Sequence, residues 1–320
     1  MLRWGFLGAS RIGKRALAPA VLAAGHGLVA VGARDRDRAA AFAAEFGAPH
    51  AYASYAEVIA DPDVDAVYVA LPNDAHAPWT IRALEAGKHV LCEKPLALNA
   101  AEVGAIRDAE ARTGRRAMEA FCHIFHPRYA RVRELLAGGE LGGLVAMQCH
   151  FGATLPEWPN EFRWSGGQGG GAAYDLGCYC VSAMRVLTGQ EPLRVAAVPR
   201  PRGEVDESLS ALLDFGAGLA GGFACSFASA ATQQLVLLGS EKQLRMDWPF
   251  SQKGRDTRLE LGDRVENFSM VDPYAIMVSH FAQAVLGHTE MLFGVDWSLA
   301  QARTIDALLA ASASARTEAV

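Results

Sequence analysis

The sequence predicts an α/β chain in two parts: an N-terminal doubly wound parallel sheet, then an α+β domain with a large, mostly antiparallel open sheet. Three observations carry this. The first 120 residues alternate short apolar strands with helical stretches, the order that builds parallel βαβ units. A glycine turn, Gly8 to Gly13, separates the first strand from the first helix. Beyond His126 and Pro127 the texture changes to strands joined by short turns.

In order, the first domain (residues 1–120) reads as strands Arg3–Leu7, Gly27–Gly32, Ala66–Val69, His89–Cys92 and Ala117–Ala120, with helices running from Gly13 to about Ala24, over Arg38–Phe46, Ala75–Ala86 and Ala100–Thr113. The second (residues 121–320) opens with a helix from Pro127 to about Leu136. Strands follow at Leu144–Phe151, Ser208–Phe215, Leu219–Phe227, Leu235–Leu238 and Leu244–Trp248, with Gly216 to Gly218 closing a hairpin. Helices are expected at Ala173–Leu187, Pro273–Leu286 and Ser298–Ala315.

Composition narrows the class. Of 320 residues, 51% are hydrophobic and 20% charged, as in a globular protein rather than a disordered chain. A net charge of −5 gives no reason to expect nucleic acid as partner. No apolar run is long enough to span a membrane, and the first residues enter a core strand rather than a signal peptide. The six cysteines lack metal-ligand spacing and read as reduced core thiols. The expectation is a cytoplasmic protein that needs no metal.

Three segments carry chemistry. The first is the turn containing Gly8, Ser10, Arg11, Ile12 and Gly13. Strand, glycine turn and helix start together cradle a pyrophosphate on backbone N–H groups, as in the Rossmann fold. Ser10 stands where the fingerprint has its second glycine. At the end of the second strand, where an NAD site places a carboxylate, this chain has Arg34, with Arg38 opening the next helix. A guanidinium can clamp a 2′-phosphate with two hydrogen bonds, so NADP(H) is favoured. NAD(H) stays open, because Asp35 lies one position on and the alternating Arg and Asp can equally form a self-paired helix cap.

The second segment is Glu93, Lys94 and Pro95 after a buried strand. A lysine there lies where open α/β sheets bind ligands, outside the carboxyl ends of their strands. Alone, a Glu-Lys-Pro run is equally a solvated strand exit. The third is the glycine-rich run from Gly166, followed by Asp175 and Tyr179. These two are four residues apart and share a helix face, so carboxylate and phenol can meet one ligand hydroxyl. The competing reading is a glycine loop with Tyr179 satisfied in the core.

Together these residues resemble the family of glucose–fructose oxidoreductase and inositol dehydrogenase. The likeness rests on Gly8–Gly13, on Leu71, Pro72 and Asn73 with His76, on Ala86 to Pro95, and on Gly169 to Asp175. It implies a Rossmann domain followed by an α/β domain whose sheet often forms a homodimer or homotetramer interface. It places Lys94 beside nicotinamide and substrate with a cis Lys94–Pro95 bond, sets Leu71, Pro72, Asn73 and His76 along the cofactor, and lets Glu93 help place it. Tyr179, where many members carry histidine, resembles the branch of NADP-dependent xylose dehydrogenase and dimeric dihydrodiol dehydrogenase. By that resemblance Tyr179 is the general acid/base, Lys94 its electrostatic partner and Asp175 a holder of a substrate hydroxyl. Arg163 and Trp164 match a position that often contacts nicotinamide or substrate. The implied activity is hydride transfer between NADP(H) and a sugar or polyol hydroxyl, oxidation of an aldose at C1 to a lactone above all. Dihydrodiol oxidation, keto-sugar reduction and a non-catalytic NADP-binding regulator are the alternatives.

Overall fold

The computed structural model describes residues 1–159, 161–252 and 254–320. These fall into two compact units, Met1–Cys122 with Tyr274–Leu299, and His123–Pro273 with Ala300–Val320.

The first unit is built on six parallel strands: β1 (Arg3–Leu7), β2 (Gly27–Gly32), β3 (His50–Tyr52), β4 (Ala66–Val69), β5 (His89–Cys92) and β6 (Ala117–Glu119). Their order across the sheet is β3-β2-β1-β4-β5-β6, the dinucleotide-binding order with its reversal between β1 and β4. Helices α1 (Ala18–Ala23), α2 (Arg36–Phe46), α3 (Tyr55–Ala60), α4 (His76–Glu85) and α5 (Ala100–Thr113) connect them. Trp4, Phe6, Leu7, Val67, Tyr68, Val90 and Leu91 are fully buried, as expected of strands covered on both faces. The expected strands are present, the sixth ending one residue early. β3 and α3 were not anticipated. His50-Ala-Tyr52 is too short to show a period, and its polar residues are satisfied locally, with His50 Nδ1 2.6 Å and the Tyr52 hydroxyl 3.1 Å from Asp61.

In the second unit, α6 (Pro127–Ala137) and α7 (Cys178–Thr188) accompany nine strands: β7 (Leu144–Thr154), β8 (Arg194–Arg202), β9 (Val205–Gly216), β10 (Leu219–Ser226), β11 (Ala228–Gly239), β12 (Gln243–Asp247), β13 (Thr257–Leu261), β14 (Arg264–Phe268) and β15 (Glu318–Ala319). The sheet runs β14-β13-β12-β11-β7-β10-β9-β8-β15, antiparallel throughout except for the β7–β10 pair. Gly216, Ala217 and Gly218 all have positive φ where β9 turns into β10, as the hairpin reading requires. Two helices follow in sequence, α8 (Pro273–Val285) and α9 (Val295–Ser314); from Tyr274 on, α8 belongs to the first unit, where its Phe281 lies 5.3 Å from Trp4.

Strands β8, β13, β14 and β15 escaped the sequence reading. β8 contains Pro199 and Pro201, which a central strand excludes. It is tolerated here because β15 covers only Arg194 and Val195 on its outer side. β13 and β14 carry Arg258, Glu260, Arg264 and Glu266, a pattern that looks like a solvated loop. The charges instead pair along the hairpin, Arg258 with Glu260 at 2.8 Å and Arg264 with Glu266 at 3.1 Å.

All six cysteines are buried free thiols. Arg128 on α6 is fully buried. Its guanidinium donates to the carbonyls of Asp247 (2.8 Å), Trp248 (2.9 Å) and Arg258 (3.2 Å), where β12 ends and Trp248 turns back with φ of +50°. Burial pulls its pKa down to about 10, which leaves it cationic at neutral pH. Replacing it with leucine strands these carbonyls in the core. Arg128→Leu is expected to cost about 3 kcal/mol, read as a lower urea midpoint for the second unit.

Candidate functional site

The first unit presents two turns at the carboxyl ends of its strands. At the first, β1 leads into Gly8 with φ of +105°. A Cβ there would lie 2.7 Å from the Ala70 carbonyl oxygen, so conformation and space both demand glycine. Ser10 accepts a hydrogen bond at Oγ from the Gly13 N–H at 3.0 Å, which leaves its own proton to donate outward. Gly13 is buried, while Arg11 and Ile12 are exposed. The helix starts with a wide π-type turn over Gly13–Leu17 before α1.

After β2 the structure shows the helix-cap role for Asp35 that the sequence left open. Asp35 is the N-cap of α2, its carboxylate accepting from the amides of Asp37 at 2.9 Å and Arg38 at 3.3 Å. Its charge is thereby turned into the helix start. Arg34 is exposed beside it. Arg38 reaches back to the glycine turn and donates from Nη2 to the Ala9 carbonyl at 3.0 Å. Both guanidiniums act on the Tyr55 hydroxyl, and Arg34 hydrogen-bonds it. Burial raises the Tyr55 pKa while the two cations pull the other way. A dinucleotide fits this cradle, with a cationic corner at its adenosine end.

The second turn follows β5. The Lys94–Pro95 peptide bond is cis, as the resemblance implied. Glu93 Oε1 accepts from the Tyr68 hydroxyl at 2.5 Å, and its Oε2 lies 3.3 Å from the Lys94 amide. Leu96 N–H donates to buried Glu119 at 3.0 Å and Leu98 N–H to Glu102 at 3.0 Å. His76 is 1% exposed, with Nδ1 2.7 Å from the Pro95 carbonyl and Nε2 2.8 Å from that of Leu71. Burial lowers its pKa against the pull of both carbonyls. The ring thus ties the Leu71-Pro72-Asn73 turn to the lysine turn and reaches a ligand only through them. Asn73 is buried and Pro72 half-buried.

In the second unit the glycine run folds the Arg163 segment onto the start of the next helix. Gly170 and Gly171 donate to the carbonyls of Ser165 and Arg163, both at 2.9 Å. A Cβ on Gly170 would meet those same two carbonyl oxygens at 2.7 and 2.5 Å. Arg163 then places Nε 2.9 Å from Asp175 and Nη1 3.1 Å from Glu161, so one guanidinium spans two carboxylates. Trp164 goes elsewhere: Arg202 lies over its ring at 4.2 Å, and Phe227 meets it edge-on at 5.3 Å.

Asp175 lies in a π-type turn, Ala173–Gly177, which leads directly into α7 with Tyr179 in its first turn. Such wide turns recur at functional positions, and here both follow a glycine turn. The Tyr179 ring packs against His123 (5.0 Å between centroids), Phe151 (5.4 Å) and Phe250 (5.5 Å). Ser182 donates to the Tyr179 carbonyl at 2.9 Å and lies 3.2 Å from His123 Nε2.

Several of these groups were not singled out from sequence: Tyr55, Tyr68, Glu119, Glu161 and Asp206. Tyr68 and Glu119 carried a usable signal, each being a polar side chain in an otherwise apolar parallel strand. Asp206, on β9, is distant in sequence and had none. It accepts from the Ala173 amide at 2.7 Å.

The parallel sheet order and the glycine cradle define the class: a protein with a Rossmann cofactor domain. The family profile "Oxidoreductase family, NAD-binding Rossmann fold" matches residues 2–121, and the "GFO/IDH/MocA C-terminal domain" matches residues 129–245. The chain is 36% identical to D-xylose 1-dehydrogenase (NADP(+)) 2 of Haloferax volcanii, over 96% of each protein. It is 38% identical to mouse trans-1,2-dihydrobenzene-1,2-diol dehydrogenase over 75% of this chain and 73% of the relative. Among solved structures, aldose–aldose oxidoreductase from Caulobacter crescentus superposes with a TM-score of 0.92 at 28% identity, covering 100% of this chain and 99% of that one. The chain belongs to the GFO/IDH/MocA oxidoreductase family.

Asp206 gives this site a pH signature. Burial pushes its carboxyl up to about 6, against the pull of the Ala173 and Ala172 amides. A folded-state value above the ordinary one means that the folded form binds this proton more tightly than the unfolded chain. The group therefore adds stability below about pH 4 that is lost as pH rises through about 6. The stability difference between the parent protein and Asp206→Asn should fall by an amount on the order of 3 kcal/mol between pH 4 and pH 7, followed by denaturant titration at each pH.

Proposed function

We propose that this chain is an NADP-dependent dehydrogenase of sugars or polyols, oxidising an aldose at C1 to a lactone. The observation that carries this reading is the placement of Asp175 and Tyr179 within the first turns of one helical segment, with Arg163 ion-paired to the carboxylate at 2.9 Å. The cofactor preference is supported by Arg34 and Arg38 at the adenosine end, where Asp35 is committed to capping α2. Gly8, Ser10, Arg11, Ile12 and Gly13 would hold the pyrophosphate, and Leu71, Pro72, Asn73 and Glu93 the nicotinamide end. Braced by His76, those turns keep their spacing.

When bound, the nicotinamide exchanges hydride with the substrate carbon. The protein handles the proton. Tyr179 takes it from the substrate hydroxyl during oxidation and returns it during reduction. A free phenol, with a pKa of about 10, is a weak base at neutral pH, and the Lys94 ammonium favours its phenolate. Asp175, ion-paired with Arg163, accepts a hydrogen bond from a neighbouring substrate hydroxyl. Acid–base assistance of this kind contributes about 10²–10⁴ in rate. The ring wall of Phe151, Phe250 and His123 around Tyr179 supports a second reading, oxidation of an aromatic dihydrodiol, the substrate class in the mouse relative's name. On the sheet face opposite the helices, Val198 and Leu212 are exposed, and a homodimer or homotetramer formed through that face belongs to the same proposal.

Purified protein with NADP⁺ or NAD⁺ and a panel of aldoses, polyols and trans-dihydrodiols tests this by the absorbance of reduced cofactor. Turnover of one aldose with NADP⁺ is expected; turnover confined to dihydrodiols selects the second reading, and cofactor binding without turnover overturns both. Tyr179→Phe and Lys94→Ala should each lower kcat by about 10²-fold or more while NADP⁺ still binds. Arg34→Ala should weaken NADP⁺ by about tenfold or more and leave NAD⁺ nearly unchanged; an equal loss for both cofactors removes Arg34 from 2′-phosphate recognition.

A further inference from the structure

We propose that Tyr68 is a positioning residue for Lys94: its buried hydroxyl holds the Glu93 carboxylate, and that carboxylate sets the turn from which the lysine projects. This rests on the reading of Lys94 above.

Tyr68 sits in β4, which is buried along its length, and has no exposed surface. Its ring lies 5.0 Å from Phe6 and 3.6 Å from where a Gly13 Cβ would stand. It therefore runs beneath the helix start of the pyrophosphate turn and ends at the lysine turn. The 2.5 Å separation from Glu93 Oε1 is that of an O–H donating to a charged carboxylate, among the stronger neutral-to-ion hydrogen bonds. The other carboxylate oxygen faces the Lys94 amide. A phenylalanine would fill the same space, so the hydroxyl is there for its hydrogen bond.

Burial and the charge of Glu93 push the Tyr68 pKa well above its ordinary value. The phenol thus remains a donor at every pH at which the protein is studied and does not itself transfer protons. Donation of the hydroxyl stabilises the charged form of the carboxylate. The other groups around this pair are Tyr274 of α8, which acts on Tyr68; Cys92 of β5 and Glu119 of β6, both coupled to the Glu93 region; and Lys94 with His76 behind it. Cys92 is a buried thiol whose pKa is driven up by burial, so it adds no charge. Loss of the Tyr68 donor must therefore appear as protonation of Glu93 at higher pH.

The test compares the parent protein with Tyr68→Phe by carbon NMR of labelled glutamate carboxyls, the Glu93 signal being assigned by its absence in Glu93→Gln. The Glu93 midpoint should rise by about one pH unit in Tyr68→Phe. In kinetics, kcat should fall about tenfold on the acid side and recover toward pH 9, with KM for NADP⁺ changed less than about twofold. In the Glu93→Gln background the same change should leave the pH profile where it was. An unmoved Glu93 midpoint, or a loss of kcat equal at every pH, overturns the proposal and makes Tyr68 a packing residue. The titration needs no substrate, so failure of the dehydrogenase reading, seen as no turnover by the parent protein, is distinguished from failure of this one.

Discussion

A parallel strand stops donating and accepting at its carboxyl end, and the chain beyond it still has to satisfy its backbone polar groups. The segment after β5 answers this demand with side chains. Glu93, Glu119 and Glu102 take amides, and the His76 ring lies between a carbonyl of each of two turns, its one N–H donating to either. Five residues from β4, α4, β6, α5 and the turn itself, counting Tyr68, thus converge on six residues of chain. These partners fix the turn that carries Lys94, and on the proposed reading that placement gives the lysine the tolerance catalysis needs.

The second unit solves the same problem by steric exclusion rather than by charge. The segment bearing Arg163 lies against Gly170 and Gly171 so closely that Cβ atoms would collide with backbone oxygens at one and with Asp206 at the other. Glycine there costs conformational entropy, offset by two backbone hydrogen bonds and the reach of Arg163 to Asp175. Asp206 then caps the start of the helix from β9. Its partial burial keeps the carboxyl less acidic than usual, a cost that a purely structural cap on the surface would not carry. The position of the phenol and carboxylate thus depends on three elements far apart in sequence.

The contrast explains what the sequence disclosed. Strands buried on both faces are continuous apolar runs, so β1, β2, β4 and β5 were legible to the residue. The Gly8 turn and the helix that carries Tyr179 were legible because turn chemistry and helical spacing are local. What could not be read is whatever depends on a tertiary partner. Arg128 looks like any helix-surface arginine until the ends of β12 and β13 close over it. β8 looks excluded by its prolines until the sheet leaves most of its outer side uncovered. His76 was legible as part of a motif, but its work as a brace between two turns depends on the fold. Trp164 was read with Arg163 as a pair, yet the two diverge: one stacks under Arg202, the other turns to Asp175.

The sign of the charge at the adenosine end follows from a competition between acceptors over a distance of one residue. The helix after β2 begins with amide groups that lack intrahelical partners. Asp35, in an extended conformation (φ −112°, ψ 117°), supplies the acceptor for two of them. Both of those bonds fall on Asp35 Oδ1, and the helix dipole favours the charge at the helix start. That leaves the preceding position, Arg34, to face outward, and Arg38, whose own amide is one of those capped, to reach the carbonyl of Ala9. The same cap that starts α2 therefore directs Asp35 to the helix start, with Arg34 exposed beside it and Arg38 against the glycine turn. On the proposed reading these two cations favour a 2′-phosphate, and their placement follows from how a helix end is satisfied.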